Sequence, residues 1–149
     1  MREYEFRGKD KDNNWVHGDL IHGVSYKKDN LYILPLRRQL AYIPNCDALD
    51  GVQVKNETVG QYTGLKDASK EKVKLYDKDI ISDANGFKKV ICWEEEKARF
   101  CLKNIIDLKY EDTQYINQGI SQEYIDELGF VKVGNVFDNP ELLKNQINK

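Results

Sequence analysis

Short runs of aromatic and β-branched residues, interrupted by polar turns, make up most of this chain. Such runs are typical of strands in an antiparallel sheet. In the N-terminal third they predict five strands, over residues 3–8, 14–22, 24–28, 31–35 and 40–43. A loop over residues 46–54 and a further strand over residues 55–63 are expected to follow. The chain is therefore expected to be mainly β.

Residues 79–103 predict a meander of three strands. The pair Asn85-Gly86, which lies between apolar residues, is a strong signal for the first hairpin turn. A second turn centred between Glu96 and Lys97 gives a register that is coherent on both faces of the hairpin. This register pairs residues of matching character: Trp93 with Phe100, Ile91 with Leu102, Cys92 with Cys101, and Glu94 with Arg99.

Helical signals are confined to the C-terminal part of the chain. Ser121 is a suitable N-cap for a short helix over residues 122–128. Asn139 and Pro140 supply a cap and a first-turn proline for a final helix over about residues 140–147. We expect this last helix to bury its leucines against the strands.

The run from Tyr76 to Ile81 passes from polar to apolar residues into the meander, as at the start of many small SH3-like barrels. This analogy concerns the fold and carries no function. We therefore expect a mainly β fold with a small SH3-like barrel and a short C-terminal helix. The length of 149 residues fits one domain over 1–149. Within it we expect an N-terminal hairpin lobe over 1–54 and a barrel-like lobe over 55–149.

Charge and cysteine content narrow the classes of protein. The formal net charge is −2, whereas a strong, non-specific polyanion binder normally carries a basic face or tail. Three cysteines do not suit a secreted disulfide framework. The N-terminal segment is too charged for a signal peptide, and no apolar run is long enough to cross a bilayer. A soluble cytoplasmic protein is expected.

Metal-binding and redox chemistry have two candidate sets of residues. His17, Asp19 and His22 are close in sequence, but on a strand residue 22 points away from the other two, so we favour exposed or paired histidines over a metal site.

Cys92 and Cys101 could form a redox switch or half a metal site. We favour two small buried hydrophobes, because no cation or helix end that would activate a thiolate is evident. Cys46 has no obvious base partner.

Catalytic motifs are weak in this sequence. The segment Gly60–Gly64 lacks the spacing of a phosphate-binding loop and the helix that should follow one. We interpret it as a strand on which two glycines leave room for a neighbour to pack across Tyr62. The acidic pairs, such as Asp77 with Asp79, lie at predicted turns. No nucleophile, base and orienting group are placed together, so an enzyme is the third hypothesis.

Basic and aromatic side chains alternate around residues 26–43. A stacking platform with a charged rim binds single-stranded nucleic acid in this way. The alternative is a half-buried hairpin whose tyrosines alternate with charges. The candidate nucleic-acid surface consists of four cations, Lys27, Lys28, Arg37 and Arg38, with Tyr26, Tyr32 and Tyr42 among them.

Three separated motifs resemble the YopX family, which bacteriophages and integrated prophages encode. They are Glu57-Thr58-Val59-Gly60-Gln61-Tyr62-Thr63-Gly64-Leu65-Lys66-Asp67, Leu75-Tyr76-Asp77-Lys78-Asp79-Ile80-Ile81, and Gly134-Asn135-Val136-Phe137-Asp138-Asn139-Pro140-Glu141-Leu142-Leu143. Glu5-Phe6-Arg7 and Trp15-Val16-His17-Gly18 fit as well. The resemblance implies a phage protein in the host cytoplasm and specifies no activity. The family usually has Gly where this chain has Lys78, so a positive φ there would cost Lys78 strain.

These observations lead to three functional hypotheses. The first is a non-enzymatic interaction module that self-associates or binds a phage or host protein, since strand edges and aromatic residues can meet a partner. The second is a weak nucleic-acid-binding protein. The third is an enzyme of unspecified class. No cofactor is expected.

Overall fold

Extended strands form most of the regular structure in this computed structural model, which describes residues 3–23, 30–35, 51–105 and 118–144. The chain divides into two compact units, Met1–Tyr62 and Thr63–Lys149. The strands of the first unit are β1 (Phe6–Lys9), β2 (Trp15–His22), β3 (Leu31–Pro35), β4 (Val52–Val54) and the beginning of β5 (Gly60–Lys66). The strands that follow are β6 (Lys74–Tyr76), β7 (Asp79–Ser82), β8 (Lys88–Glu94), β9 (Arg99–Asn104), β10 (Gln118–Gly119) and β11 (Val131–Asn135).

The helices within these ranges are short. The α-helix α1 covers Gln122–Glu127, and single 3-10 turns cover Asn56–Thr58, Glu95–Lys97 and Pro140–Leu143. No helix in the four described ranges has the length and apolar character needed to span a membrane. The expected N-cap is confirmed, since the hydroxyl of Ser121 accepts a hydrogen bond of 3.1 Å from the N–H of Tyr124. The expected C-terminal helix begins at Pro140 as a 3-10 turn, and its predicted end lies outside the described residues.

The first unit is an antiparallel sheet in the order β4-β3-β2-β1-β5. Strand β2 is long because its first half pairs with β1 and its second half with β3. The sheet curls, so that the N–H after β4, from Lys55, donates to the carbonyl of Lys9 in β1 at 2.8 Å. Gly8 permits this approach, because a Cβ there would lie 2.9 Å from the Cβ of Val54. Val16, Ile33 and Val54 fill the inside of the curl.

The second unit contains an antiparallel sheet in the order β10-β9-β8-β7-β11. The meander over residues 79–103 is confirmed as β7, β8 and β9, and the β8–β9 hairpin has the predicted register, including Cys92 opposite Cys101. Residues that alternate along the strands enter two different cores. One core contains Ile81, Ile91, Phe100 and Leu102 with Ile125 of α1 and Phe130, and the other contains Ile80, Val90, Cys92, Cys101 and Ile105, with Leu142 and Leu143 packed against it.

The mainly β class is confirmed, but the described strands form open antiparallel sheets and not a closed SH3-like barrel. The reason lies in the second sheet, which buries apolar residues on both faces. A small closed barrel has a single filled interior. The β7–β8–β9 meander is therefore the middle of a sheet covered on two sides.

Candidate binding groove

A groove with a volume of about 1240 Å³ opens in the first unit. One wall is the turn between β1 and β2 together with the start of β2, and the other is β4 with the segment that follows it. The lining residues are Asp10, Lys11, Asp12, Asn14, Trp15, Val16, Asn30, Val52, Gln53, Val54, Lys55, Asn56 and Glu57. Trp15 and the three valines make up its apolar part, and we call the whole the Trp15 groove.

The β1–β2 turn is held by its own side chains. The Oδ1 atom of Asp10 accepts hydrogen bonds from the N–H groups of Asp12 and Asn14, both at 2.9 Å. Asn13 has a φ of 66°, a left-handed conformation that asparagine adopts more readily than most residues. The ammonium of Lys55 donates to Oδ1 of Asn13 at 2.5 Å, which ties the turn to the opposite wall. The turn is therefore a fixed wall of the groove.

Trp15 is half-buried and is held by two cations from β1. The guanidinium carbon of Arg7 lies 4.6 Å from the centroid of the indole ring, and the ammonium of Lys9 lies 5.2 Å from it. Both distances suit a cation–π interaction. Because Arg7 is buried and its strand pairs with β2, the ring orientation follows from the sheet. The groove therefore has an aromatic side chain that needs no reordering on binding.

The opposite wall is fixed by hydrogen bonds to backbone groups. The hydroxyl of Thr58 accepts from the N–H of Lys9 at 2.8 Å and donates to the carbonyl of Lys55 at 2.7 Å. Oδ1 of Asn56 accepts from the N–H of Leu31 at 3.2 Å. Val54 is buried against Gly8 from the same segment. Both walls are thus built into the sheet.

The charges that line the groove are of both signs. Asp10, Asp12 and Glu57 contribute carboxylates, and Lys11 and Lys55 contribute ammonium groups. No histidine, cysteine, serine or threonine is among the described lining residues. The set suits the binding of a partly apolar, partly charged ligand.

The described lining of the groove contains none of the sequence-predicted site residues. Lys27, Lys28, Arg37 and Arg38, the candidate nucleic-acid surface, lie outside the described residues, as does Cys46. Strand β2 carries His17, Asp19 and His22, and alternation places the first two on one face and the third on the other. Across the described ranges, no group of three His, Cys, Asp or Glu side chains could hold a metal ion.

Cys92 and Cys101 lie opposite each other in the β8–β9 ladder, and both are buried free thiols. Burial raises the pKa of each thiol above its ordinary value. A raised pKa leaves less thiolate, which is the nucleophilic form. This environment supports the interpretation of the pair as small apolar side chains of the core.

The Trp15 groove could not be predicted from the sequence. Its local signal, a tryptophan directly after a polar turn, indicates the start of a strand equally well. Trp15 and Val54 come together through the curl of the sheet, and a pairing across about 40 residues leaves no local pattern.

A model of the family described as YopX protein matches residues 5–144. The chain belongs to the YopX family. No curated protein matches it significantly.

The first YopX-family motif ends at Asp67, which is buried and organises the second unit. Its carboxylate accepts hydrogen bonds from the hydroxyl of Ser69 at 2.6 Å and from the N–H groups of Ser69, Val73 and Lys132 at 3.0–3.2 Å. The bond to Lys132 joins the segment after β5 to β11, 65 positions away in sequence. Burial raises the pKa of Asp67, but these hydrogen bonds outweigh it and leave the pKa below its ordinary value of 3.8. Asp67 is therefore a structural carboxylate.

The second motif places another buried carboxylate, that of Asp79, at the first residue of β7. Oδ2 of Asp79 accepts from the N–H of Tyr76 at 2.8 Å and lies 3.0 Å from the ammonium of Lys132. The same ammonium lies 5.8 Å from the centroid of the Tyr76 ring. Lys132 thus contacts both motifs, through its backbone and through its side chain. Its position links β11 to the two buried carboxylates.

The third motif is a turn closed by Asn135. Its Oδ1 accepts from the N–H groups of Phe137 and Asp138, at 3.0 and 2.9 Å. Residue 134 has no room for a side chain, because a Cβ there would collide with the side chain of Asn139. Asn139 was predicted to cap the following helix, but its Oδ1 accepts from the N–H of Asn135 at 3.3 Å and makes no capping bond. The three YopX-family motifs therefore hold the fold and contribute only Glu57 to the groove.

Within the first motif, Tyr62 is buried, as expected, and its N–H donates to the carbonyl of Glu5 at 2.7 Å. The expectation of a packed neighbour beside Gly64 is wrong, since nothing lies within 4 Å of a Cβ built there. The φ of Gly64 is 87°, a conformation that side chains rarely adopt. Backbone conformation and not space accounts for this glycine.

Proposed function

We propose that this YopX-family chain is a phage- or prophage-encoded, non-enzymatic interaction module that acts in the host cytoplasm. In this proposal the Trp15 groove holds a segment of a phage or host protein. The main support for the proposal is a preformed groove that is lined by apolar and aromatic residues and has polar residues at its rim. Hydrogen bonds tie both of its walls into one sheet. Tryptophan is prominent among the residues that dominate the binding energy of protein interfaces.

The size and lining of the groove favour a protein segment over a small molecule. Its volume of about 1240 Å³ exceeds the roughly 300–1,000 Å³ of most small-molecule pockets. Side-chain amides line it beside the apolar residues, and an amide can both donate to and accept from peptide groups. These amides belong to Asn14, Asn30, Gln53 and Asn56.

The same lining supports binding in preference to catalysis. Asp10 already accepts two backbone N–H groups, so its carboxylate serves the turn. Asp12 and Glu57 are exposed at the rim, where their charges are open to a charged partner. A non-enzymatic role therefore accounts for the described lining residues with fewer assumptions than an enzymatic one.

Selection from a library of random twelve-residue peptides tests the proposal. The chain is immobilised, and enriched peptides are assayed against wild type and against Gln53→Tyr. Gln53 is exposed on β4, and tyrosine suits a strand, so this change should narrow the groove without unfolding the sheet. We expect enriched peptides that lose at least about tenfold in affinity for Gln53→Tyr, the effect of one good interface contact.

A matched control is Gln61→Tyr, which changes a half-buried glutamine of β5 that does not line the groove. Thermal unfolding of both variants verifies that each is folded. Peptides that bind wild type and both variants equally, or a failure to enrich any peptide, would contradict the groove as a protein-binding site.

A further inference from the structure

We infer that the segment held in the Trp15 groove is an extended peptide in which Lys or Arg side chains flank an apolar anchor. This inference rests on the proposed function, because it specifies the ligand of the same groove. It follows from three features of the described lining: which charges are already engaged, where the remaining charges lie, and what surrounds the indole.

The carboxylates at the rim are available to a ligand. Asp12 and Glu57 are exposed, and their side chains make no hydrogen bond or ion pair with another described residue. Among the lining cations, Lys55 already donates to Asn13 at 2.5 Å. Lys11 is the remaining lining cation. Carboxylates thus outnumber ammonium groups both in the whole lining and among the groups without a described partner.

Two further cations contact the Trp15 ring and are not lining residues, so they do not enter this count. Arg7 and Lys9 lie at the Trp15 ring, 4.6 and 5.2 Å from its centroid. Neither is among the lining residues, and Arg7 is buried. Their positive charge is directed at the indole face, where the ring quadrupole attracts it.

The apolar lining residues of the groove determine which ligand side chain can anchor the peptide. Trp15 and Val52, both half-buried, offer the accessible apolar surface of the lining, over the buried Val16 and Val54. An aliphatic or aromatic ligand side chain can pack there, while cations elsewhere in the peptide pair with Asp12 and Glu57. Alternate residues of an extended peptide point in opposite directions, which separates an anchor from its flanking charges. A nucleic acid fits poorly, because its phosphates would approach three carboxylates.

The test uses the peptides enriched on wild type, with affinities measured at about 20 and 300 mM salt, on either side of physiological screening. The variant is Asp12→Asn/Glu57→Gln, which removes both rim charges. Its control is Glu71→Gln/Glu96→Gln, which removes two exposed charges of the second unit. We expect groove-dependent peptides rich in Lys or Arg, and about a fivefold to tenfold loss of affinity at low salt for the rim variant only.

The outcomes separate the two proposals. Groove-dependent peptides that are neutral or acidic, or whose affinity is the same for the rim variant, overturn the basic ligand and leave the protein-binding groove intact. If none of the enriched peptides distinguishes wild type from Gln53→Tyr, the groove itself is overturned as a protein-binding site. Single-stranded dT20 serves as the competing probe, and its displacement of a bound peptide would favour nucleic acid over a basic peptide.

Discussion

Lys78 occupies a left-handed backbone conformation in the turn between β6 and β7, with a φ of 67°. Its N–H donates to the carbonyl of Ile91 at 2.8 Å, and its carbonyl accepts from the N–H of Val136 at 3.1 Å. These two bonds fix the turn whatever side chain it carries. The backbone at Lys78 thus has the positive φ that would explain the family's usual glycine, and the chain keeps a lysine where glycine would avoid the strain.

We predict that Lys78→Gly stabilises the protein. Left-handed backbone costs an L-residue about 1–2 kcal/mol, and the greater freedom of unfolded glycine offsets part of the gain. The expected increase in the free energy of unfolding is about 0.5–1 kcal/mol, measured as a higher urea midpoint at unchanged slope. Lys88→Gly, in β8, should instead lower the midpoint. A lower midpoint for Lys78→Gly would contradict the strain.

Asp67 gives the protein a pH-dependent stability. Its pKa is below the ordinary 3.8 in the folded state, so the folded chain binds that proton less readily than the unfolded chain. The contribution to stability is full above the unfolded pKa and is lost as the pH falls through the folded pKa. We predict that acidification from about pH 5 to pH 2.5 destabilises wild type more than Asp67→Asn. Parallel pH profiles in urea unfolding would show that Asp67 does not carry this effect.

At the level of elements, the β8–β9 hairpin could be predicted from the sequence because both of its faces specify the same register. Trp93 meets Phe100 edge-to-face at 5.1 Å, and Glu94 accepts from Arg99 at 2.7 Å. Strand β4 could not be predicted, because the sequence indicates a loop over residues 46–54. Three residues carry too short a pattern, and β4 forms only through pairing with β3, about 20 positions away. The Trp15 groove depends on that strand and was missed with it.

Strand β5 depends on Tyr62, which is 3% exposed. We predict that Tyr62→Ala lowers the free energy of unfolding by about 2–4 kcal/mol, as other large-to-small changes in cores do. Tyr62→Phe keeps the ring and should lose much less. The measurement is the denaturant midpoint of each variant. If Tyr62→Ala unfolds at the wild-type midpoint, the tyrosine is not a core residue and becomes a candidate for ligand binding.

For the whole molecule, a net charge of −2 gives no general attraction for nucleic acid. We predict that any such binding is weak and depends on Lys27, Lys28, Arg37 and Arg38. Replacing all four by Gln should abolish binding of an oligonucleotide and flatten its dependence on salt, because fewer counterions are released. Fluorescence anisotropy at several salt concentrations measures both. Unchanged binding in the quadruple variant would exclude this surface, and no binding of wild type at low salt would end the hypothesis.

Self-association is the remaining prediction for the whole molecule, and β11 is where we expect it. This strand lies at the edge of its sheet, and Val131 and Val133 are 36% and 39% exposed. Edge strands often pair with other chains, but the N–H of Lys132 is already bound to Asp67. Association is therefore expected through the valine side chains and not by extension of the sheet.

Light scattering at high protein concentration should give a mass above the 17.4 kDa of one chain. Val131→Thr/Val133→Thr keeps β-branched side chains in the strand and adds hydroxyls, so it should reduce the mass without loss of stability. Val73→Thr, at another exposed valine, is the matched control and should leave the mass unchanged. A wild-type mass near 17.4 kDa would contradict assembly. An assembled double variant would place the contact elsewhere, since two buried hydroxyls at its centre would each cost about 1–3 kcal/mol.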